Sequence, residues 1–282
     1  MTAIFEPGPH EEDTDAVLAR AAELIGQAEG LLITAGAGMG VDSGMPDFRG
    51  PQGLWREYPA LGRARMPFEE IACPDNFYRD PRLAWGFYGH RLVLYRETHP
   101  HAGFDVLKRL MARMPAGGFI FTSNVDGQFQ KAGFDPQRVC EVHGSIHHLQ
   151  CCEPCDSSIW SADGFQPVVD AEHCHLVGDF PRCPACGGMA RPNIRMFGDG
   201  AWLGGRSAAQ QQRLDDWRRQ VDRLLVIELG AGLAVPTVRW FGESLGVPLI
   251  RINVRDSEVA SSQALSLPLG AAAALAGIEA RL

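Results

Sequence analysis

The chain has 282 residues, 45% hydrophobic and 21% charged, with 26 Lys and Arg against 34 Asp and Glu and a net charge of −8. This is the balance of a globular chain long enough for one large domain or two smaller ones; it excludes a disordered polymer, and the acidity disfavours direct contact with nucleic acid. No apolar run approaches the ~18 residues of a membrane span, and the acidic start MTAIFEPGPHEEDTD lacks a secretory h-region, so a cytoplasmic protein with no membrane partner is expected.

In chain order, residues 13–28 predict an amphipathic helix. Val17, Leu18, Ala21, Leu24, Ile25 and Ala28 recur at helical spacing, and Asp13 or Thr14 can cap it. Residues 31–34 form a short buried strand followed at once by glycines. A second helical pattern, Phe104, Leu107, Leu110, Met111 and Met114, precedes a strand at 119–122. Further strands are predicted at 139–142, 224–228 and 249–252, and the Ala-rich tail from Ala264 to Leu282 ends in a helix. Strands alternating with helices predict an α/β fold, a parallel sheet covered on both faces, with ligands at the C-terminal strand ends. Two stretches break the alternation. Residues 51–100 are rich in aromatics, Pro and Arg, and residues 146–192 hold six of the eight cysteines. Both read as insertions building a smaller domain, leaving 13–50, 101–145 and 193–282 to the sheet domain.

The unusual polar residues lie just after the strands. Gly36-Ala37-Gly38-Met39-Gly40 lets backbone approach a pyrophosphate, although a plain Gly-rich turn fits equally well. The loop that follows carries Asp47, Phe48 and Arg49 and suits a lid. Thr122-Ser123-Asn124-Val125-Asp126 presents an amide and a carboxylate from a strand end, a pattern that turns and caps also use. His143, before Gly144 and Ser145, is placed for general-base work, while His147 and His148 read as satisfied polar groups. In a reducing compartment the cysteines require metal, catalysis or burial rather than disulfides. Cys183-Pro184-Ala185-Cys186 is a thiolate knuckle. Cys152 and Cys155 share its spacing, with Cys151 beside them, and two such pairs fit a closed tetrahedral zinc site. Cys73 and Cys140 read as buried thiols.

Taken together, these segments resemble the sirtuin family of NAD-dependent protein deacylases. The family's G-A-G-x-S-x-x-S-G-I-P-D-F-R is close to Gly36 through Arg49, its T-Q-N-I-D to Thr122 through Asp126, and its H-G to His143-Gly144. Two cysteine pairs follow, then R-P-x-V-V-x-F-G-E as Arg191 to Asp199. The resemblance implies a Rossmann-like NAD-binding domain with a smaller helical and zinc-binding domain. It implies NAD contacts at Gly36, Ala37, Gly38, Asp47, Phe48, Arg49, Ser123, Asn124, Val125, Asp126, Gly230, Ala231 and Asn253, with His143 as general base assisted by Asn124 and Asp126. Tyr88, Arg91, Arg195, Phe197 and Gly198 fall at substrate positions. Spacing from the H-G motif favours Cys151 over Cys152, giving zinc ligands Cys151, Cys155, Cys183 and Cys186. The implied reaction removes an acyl group from lysine of a protein substrate and releases nicotinamide and O-acyl-ADP-ribose.

The sequence departs from the pattern at Gly40, Ser123, Gly230-Ala231-Gly232 and Arg195. Tyr88-x-x-Arg91 matches sirtuins that favour malonyl- or succinyl-lysine, whereas Pro46-Asp47-Phe48-Arg49 looks like the deacetylase form; the helical spacing of Trp85, Tyr88 and Leu92 also allows plain core, with Arg91 exposed. Protein ADP-ribosylation and non-catalytic NAD sensing are the rival functions.

Overall fold

The computed structural model describes residues 14–46 and 50–282. Strands β1 (Gly30–Ala35), β2 (Gly118–Thr122) and β3 (Val139–Glu141) form half of a parallel sheet. Strands β4 (Gly144–Cys151), β5 (Ile159–Ser161), β6 (Val168–Asp170), β7 (His175–Val177) and β8 (Ala190–Ile194) lie outside it, and β9 (Leu224–Leu229), β10 (Leu249–Ile252) and β11 (Ala264–Leu267) complete it. The order is β3-β2-β1-β9-β10-β11, every neighbour parallel. The order reverses between β1 and β9, and there a crevice opens beyond the carboxyl ends of the strands.

Strands β1, β2 and β9 are buried along their whole length, which is why they read as continuous apolar runs rather than alternating ones. Successive residues still part to opposite faces. Leu31, Ile33, Ile120 and Ile227 pack under helices Thr14–Gln27, Ala102–Arg113 and Ala271–Glu279. Leu32, Phe121 and Val226 pack under helices Gly205–Arg218 and Thr237–Ser244. Within the sheet, Arg251 of β10 forks onto Glu228 of β9 at 2.6 and 3.1 Å, and it also reaches Glu243 at 2.7 Å, so the buried carboxylate is paired.

The remaining elements share a separate core. Helices from Gly50–Glu57 to Pro81–Glu97 pack with the antiparallel sheet β5-β4-β8 and the hairpin β6-β7 around Leu54, Phe77, Trp85, Phe87, Leu149 and Leu176. Helix Pro81–Glu97 begins with Pro at its first turn and Asp80 as cap, whose side chain accepts from Leu83 N at 3.0 Å. Trp85, Tyr88 and Leu92 are core, as their spacing allows, and Trp85 Nε1 donates to Ala190 O at 3.0 Å, joining this helix to β8.

The five expected strands are present within a residue or two of their predicted ends. The sixth, β11, falls in the Ala-rich tail, for which the sequence predicts a terminal helix and no strand. It is an edge strand of four residues whose burial alternates, and four residues carry too little period to separate from a helix start.

Candidate active site and thiolate cluster

Two loops meet at the switch point without side chains between them. A Cβ on Gly38 would lie 2.7 Å from Gly230 Cα, and one on Gly230 would lie 2.3 Å from the Gly38 carbonyl carbon. Gly230 has φ +60°, the left-handed region that favours glycine. Gly36 N donates to Leu229 O at 2.9 Å and Gly38 N to Gly230 O at 3.0 Å. Gly36, Ala37, Gly230 and Ala231 thereby reach the wall of a cavity of about 660 Å³, while Gly38 is spent on packing against Gly230. At Gly40, where the resembled motif has Ser, a Cβ would meet Met45 Cε at 2.2 Å, so Met45 occupies the space that a side chain would take.

The loop after β2 supplies Ser123, Asn124, Val125 and Asp126 to the same wall. Thr122 Oγ1 donates to Ala35 O at 2.9 Å and accepts from Asn124 N at 3.0 Å; Asn124 Nδ2 donates to Gly36 O at 3.0 Å. Asn124 therefore fastens its loop to the glycine loop of β1. Asp126 is buried, and Oδ1 accepts from Gln128 N at 2.8 Å. Burial pushes its carboxyl up to about 6 against the opposing effect of that hydrogen bond.

His143 lies between β3 and β4. Gly144 turns the chain with φ +82°, and a Cβ there would sit 2.0 Å from Asn193 O of β8. The ring lines the cavity, with Nε2 3.4 Å from Thr237 Oγ1 and a hydrogen bond to the Ser123 backbone. Burial, and then the Arg195 guanidinium, hold it below the usual imidazole range, so it is neutral at pH 7.

Helical and small-sheet residues form the opposite wall: Phe68, Tyr88, Arg91, Ile194, Met196 and Phe197. Arg91 is buried, where the plain-core reading of its helix would leave it exposed. Its Nε and Nη2 donate to Tyr95 Oη at 3.0 and 2.8 Å, and the guanidinium lies over the rings of Phe87, Tyr88 and Tyr95. Arg195 is exposed at the cavity, 5.8 Å from the centroid of the Trp202 ring, and its N donates to His143 O at 2.9 Å. A buried bidentate pair, Arg191 to Asp199 at 2.8 Å on both arms, holds the loop that carries Arg195 and Phe197.

Besides Gly38, two expected contacts do not reach the wall. Gly198 is exposed in that loop, and Asn253 is buried behind Ala231: Asn253 Nδ2 donates to Ala231 O at 2.9 Å, and Oδ1 accepts from Arg255 N and Asp256 N. Its side chain supports the phosphate-side loop by holding Ala231. Asp47, Phe48 and Arg49 lie outside the described residues. Residues that sequence reasoning missed include Thr237, Phe68 and Met196. Tyr95 was legible in principle, since it stands one helical turn beyond Arg91.

Four thiols converge away from this cavity. The Sγ atoms of Cys151, Cys155, Cys183 and Cys186 lie within 4.8 Å of one another, with Cys151–Cys186 at 3.7 Å and Cys155–Cys183 at 3.6 Å. A zinc ion with Zn–S bonds of ~2.3 Å requires S–S edges of about 3.8 Å, so the donor set fits a closed tetrahedral site. The structure brings Cys151 to the cluster and turns Cys152 into the small core, where burial pushes its thiol up to about 12. Cys140 and Cys174 are likewise buried, with thiols pushed up to about 12.

A family model described as the Sir2 family matches residues 36–235. The chain is 31% identical over 244 residues to NAD-dependent protein deacylase 2 of Pyrobaculum aerophilum, covering 84% of this chain and 85% of that one. It is 29% identical over 269 residues to an NAD-dependent protein deacylase of Thermus thermophilus, covering 92% of each. Among solved structures, a Sir2 homologue in complex with NAD superposes with a TM-score of 0.70 at 22% identity, covering 98% of this chain and 96% of that one, a likeness of fold.

Metal analysis of the purified protein is expected to find one zinc per chain. Cys151→Ser should lose the metal and lower the unfolding midpoint, because binding at such a site is part of the folding free energy. Cys152→Ser should keep it. Zinc lost from Cys152→Ser and retained by Cys151→Ser would contradict the ligand set.

Proposed function

The chain belongs to the Sir2 family, and we infer from its site that it is an NAD-dependent protein deacylase, an enzyme acting on acyl-lysine side chains of proteins. The observation that carries this reading is a neutral imidazole, His143, on the wall of a cavity it shares with Asn124 and Asp126 at the sheet's switch point. The cavity's volume lies in the range of cofactor sites, and its glycine loops bring bare backbone to one end. The residues present therefore fit NAD, held by Gly36, Ala37, Gly230 and Ala231 on the phosphate side and by Ser123 to Asp126 on the nicotinamide side. Bound there, NAD would supply an ADP-ribosyl group and release nicotinamide.

The protein's own residues divide the remaining work. Asp126, a buried acceptor, orients a carboxamide. His143 takes a proton from a hydroxyl brought to its ring; at neutral pH its nitrogen is already free to accept one. Phe68, Ile194, Met196 and Phe197 form an apolar wall that receives the acyl-lysine stem and excludes water. Protein ADP-ribosylation or silent NAD sensing would leave His143 without a task, so acyl transfer is the favoured reading. A net charge of −8 argues against nucleic acid as substrate. Among the described residues no helix is long and apolar enough to cross a membrane, and eight unpaired cysteines suit a reducing compartment such as the cytoplasm.

Acidic acyl groups fit this cavity as well as acetyl does. A carboxylate at the end of an acyl chain meets Arg91 and Tyr88 on its wall, with the guanidinium already held by Tyr95.

His143→Ala is expected to cut acyl transfer by roughly 10²–10⁴ while leaving ADP-ribose affinity within a few-fold. In the wild type, activity is lost as pH falls through the pKa of His143. Because that value is depressed, the acid limb of kcat/KM should have its midpoint below ~6.5. A midpoint above 7, or full turnover in the variant, would remove His143 from the role of base.

Comparing kcat/KM for succinyl- and acetyl-lysine forms of one peptide tests the acyl pocket. Arg91→Met should lower succinyl turnover by about tenfold or more, the worth of a charge-assisted hydrogen bond, and change acetyl turnover much less. Equal effects on both substrates, or no succinyl turnover in the wild type, would refute it.

A further inference from the structure

Behind the loop that carries Asp126 lies a second cavity, of about 640 Å³, which the chemistry above does not use. Tyr95 and Asp126 belong to the walls of both cavities. Four cations, Arg96, Lys131, Arg206 and Arg213, face two carboxylates, Asp126 and Glu141, so this cavity is cationic in a chain whose net charge is −8. Arg206 is ion-paired, to Glu141. The other three spend their donors on neutral carbonyls. Arg96 reaches Phe165 O at 2.7 Å and Ala162 O at 2.8 Å, Lys131 reaches Arg96 O and Thr98 O, and Arg213 reaches Gln137 O at 3.2 Å. Carbonyls satisfy hydrogen bonds but do not neutralise charge, and clustered like charges in a partly enclosed space attract an anion. Three polar atoms of the wall residues are buried without a protein partner, Glu141 Oε1, His148 Nδ1 and Arg206 Nη1.

The second cavity also touches the active loop mechanically. His147 Nε2 is 2.8 Å from Asp126 O, and a Cβ on Gly127 would meet the His147 ring at 2.7 Å. His147 is thus wedged between the second cavity and the turn that sets Asp126.

We propose that this cavity is a second ligand site, for a small multivalent anion bearing phosphate or carboxylate groups, and that its occupancy is felt at the nicotinamide end of the active cavity through the shared Asp126 loop. The binding site stands on the cavity's own residues; only the communication rests on the deacylase reading.

Inorganic pyrophosphate and citrate, titrated calorimetrically into full-length protein saturated with ADP-ribose and compared with chloride at equal ionic strength, test the site. The ADP-ribose keeps the probes out of the active cavity. One saturable equivalent of at least one probe is expected, weakened tenfold or more in the Lys131→Gln, Arg213→Gln double variant, whose ADP-ribose affinity and circular dichroism should be unchanged. No saturable binding, or equal affinity in the double variant, would overturn the site. Communication predicts that the potency of nicotinamide as an inhibitor shifts at least two-fold when the second site is saturated, with a reciprocal shift in probe affinity. Unchanged potency would overturn that part. Failure of the deacylase reading would appear separately, as no turnover in any arm while the calorimetry remains readable.

Discussion

The active cavity depends on backbone meeting backbone. Gly36 and Gly38 after β1 lie against Gly230 and Ala231 after β9, at distances that leave no room for a Cβ. This contact sets the spacing of the two loops that diverge from the switch point, and the rest of the site is hung from them. Asn124 is bonded to Gly36 O, Asn253 to Ala231 O, and helix Thr237–Ser244, beginning a few residues after Gly230, presents Thr237 to His143. A methyl group at Gly38 or Gly230 would separate the loops and move the amide, the imidazole's neighbour and the phosphate-side wall together.

A second constraint is desolvation. Asp126 is buried and His143 half-buried on the cavity wall, and desolvation moves both toward their neutral forms, the carboxyl up and the imidazole down. Both shifts cost stability. Asp126, raised above its unfolded value, disfavours folding as pH rises past ~4 toward 6, and His143, lowered, disfavours it as pH falls below ~6.5. Neither group is held for stability, whereas the buried pairs Arg191–Asp199 and Glu228–Arg251 are matched in charge and geometry. Titratable groups pushed from their ordinary ranges in one cavity mark a functional site.

Much of this was legible in the residues. The buried strands announced themselves as apolar runs, and the polar residues after them converge because parallel strands deliver all their carboxyl ends to one edge. The knuckle at Cys183 and Cys186 was plain, while the choice of Cys151 over Cys152 turned on which residue at the end of β4 faces the core, a register that sequence alone does not settle. Three features stayed hidden for physical reasons. The burial of Arg91 depends on a ring of aromatics contributed by its own helix, where a guanidinium and a core position look incompatible. Asn253, for which the resemblance implies a cofactor contact, has side-chain partners in Ala231, Arg255 and Asp256 that no motif announces. The contact between the Gly38 and Gly230 loops joins positions far apart in the chain, and each glycine alone looks like an ordinary turn.

Mass analysis of all products, after incubating the protein with NAD and an acyl-lysine peptide, tests the account's central claim most directly. Nicotinamide, deacylated peptide and O-acyl-ADP-ribose should form in equal amounts, with the protein itself unmodified. Nicotinamide released with ADP-ribose attached to protein and the acyl-lysine intact, or no nicotinamide at all, would contradict it.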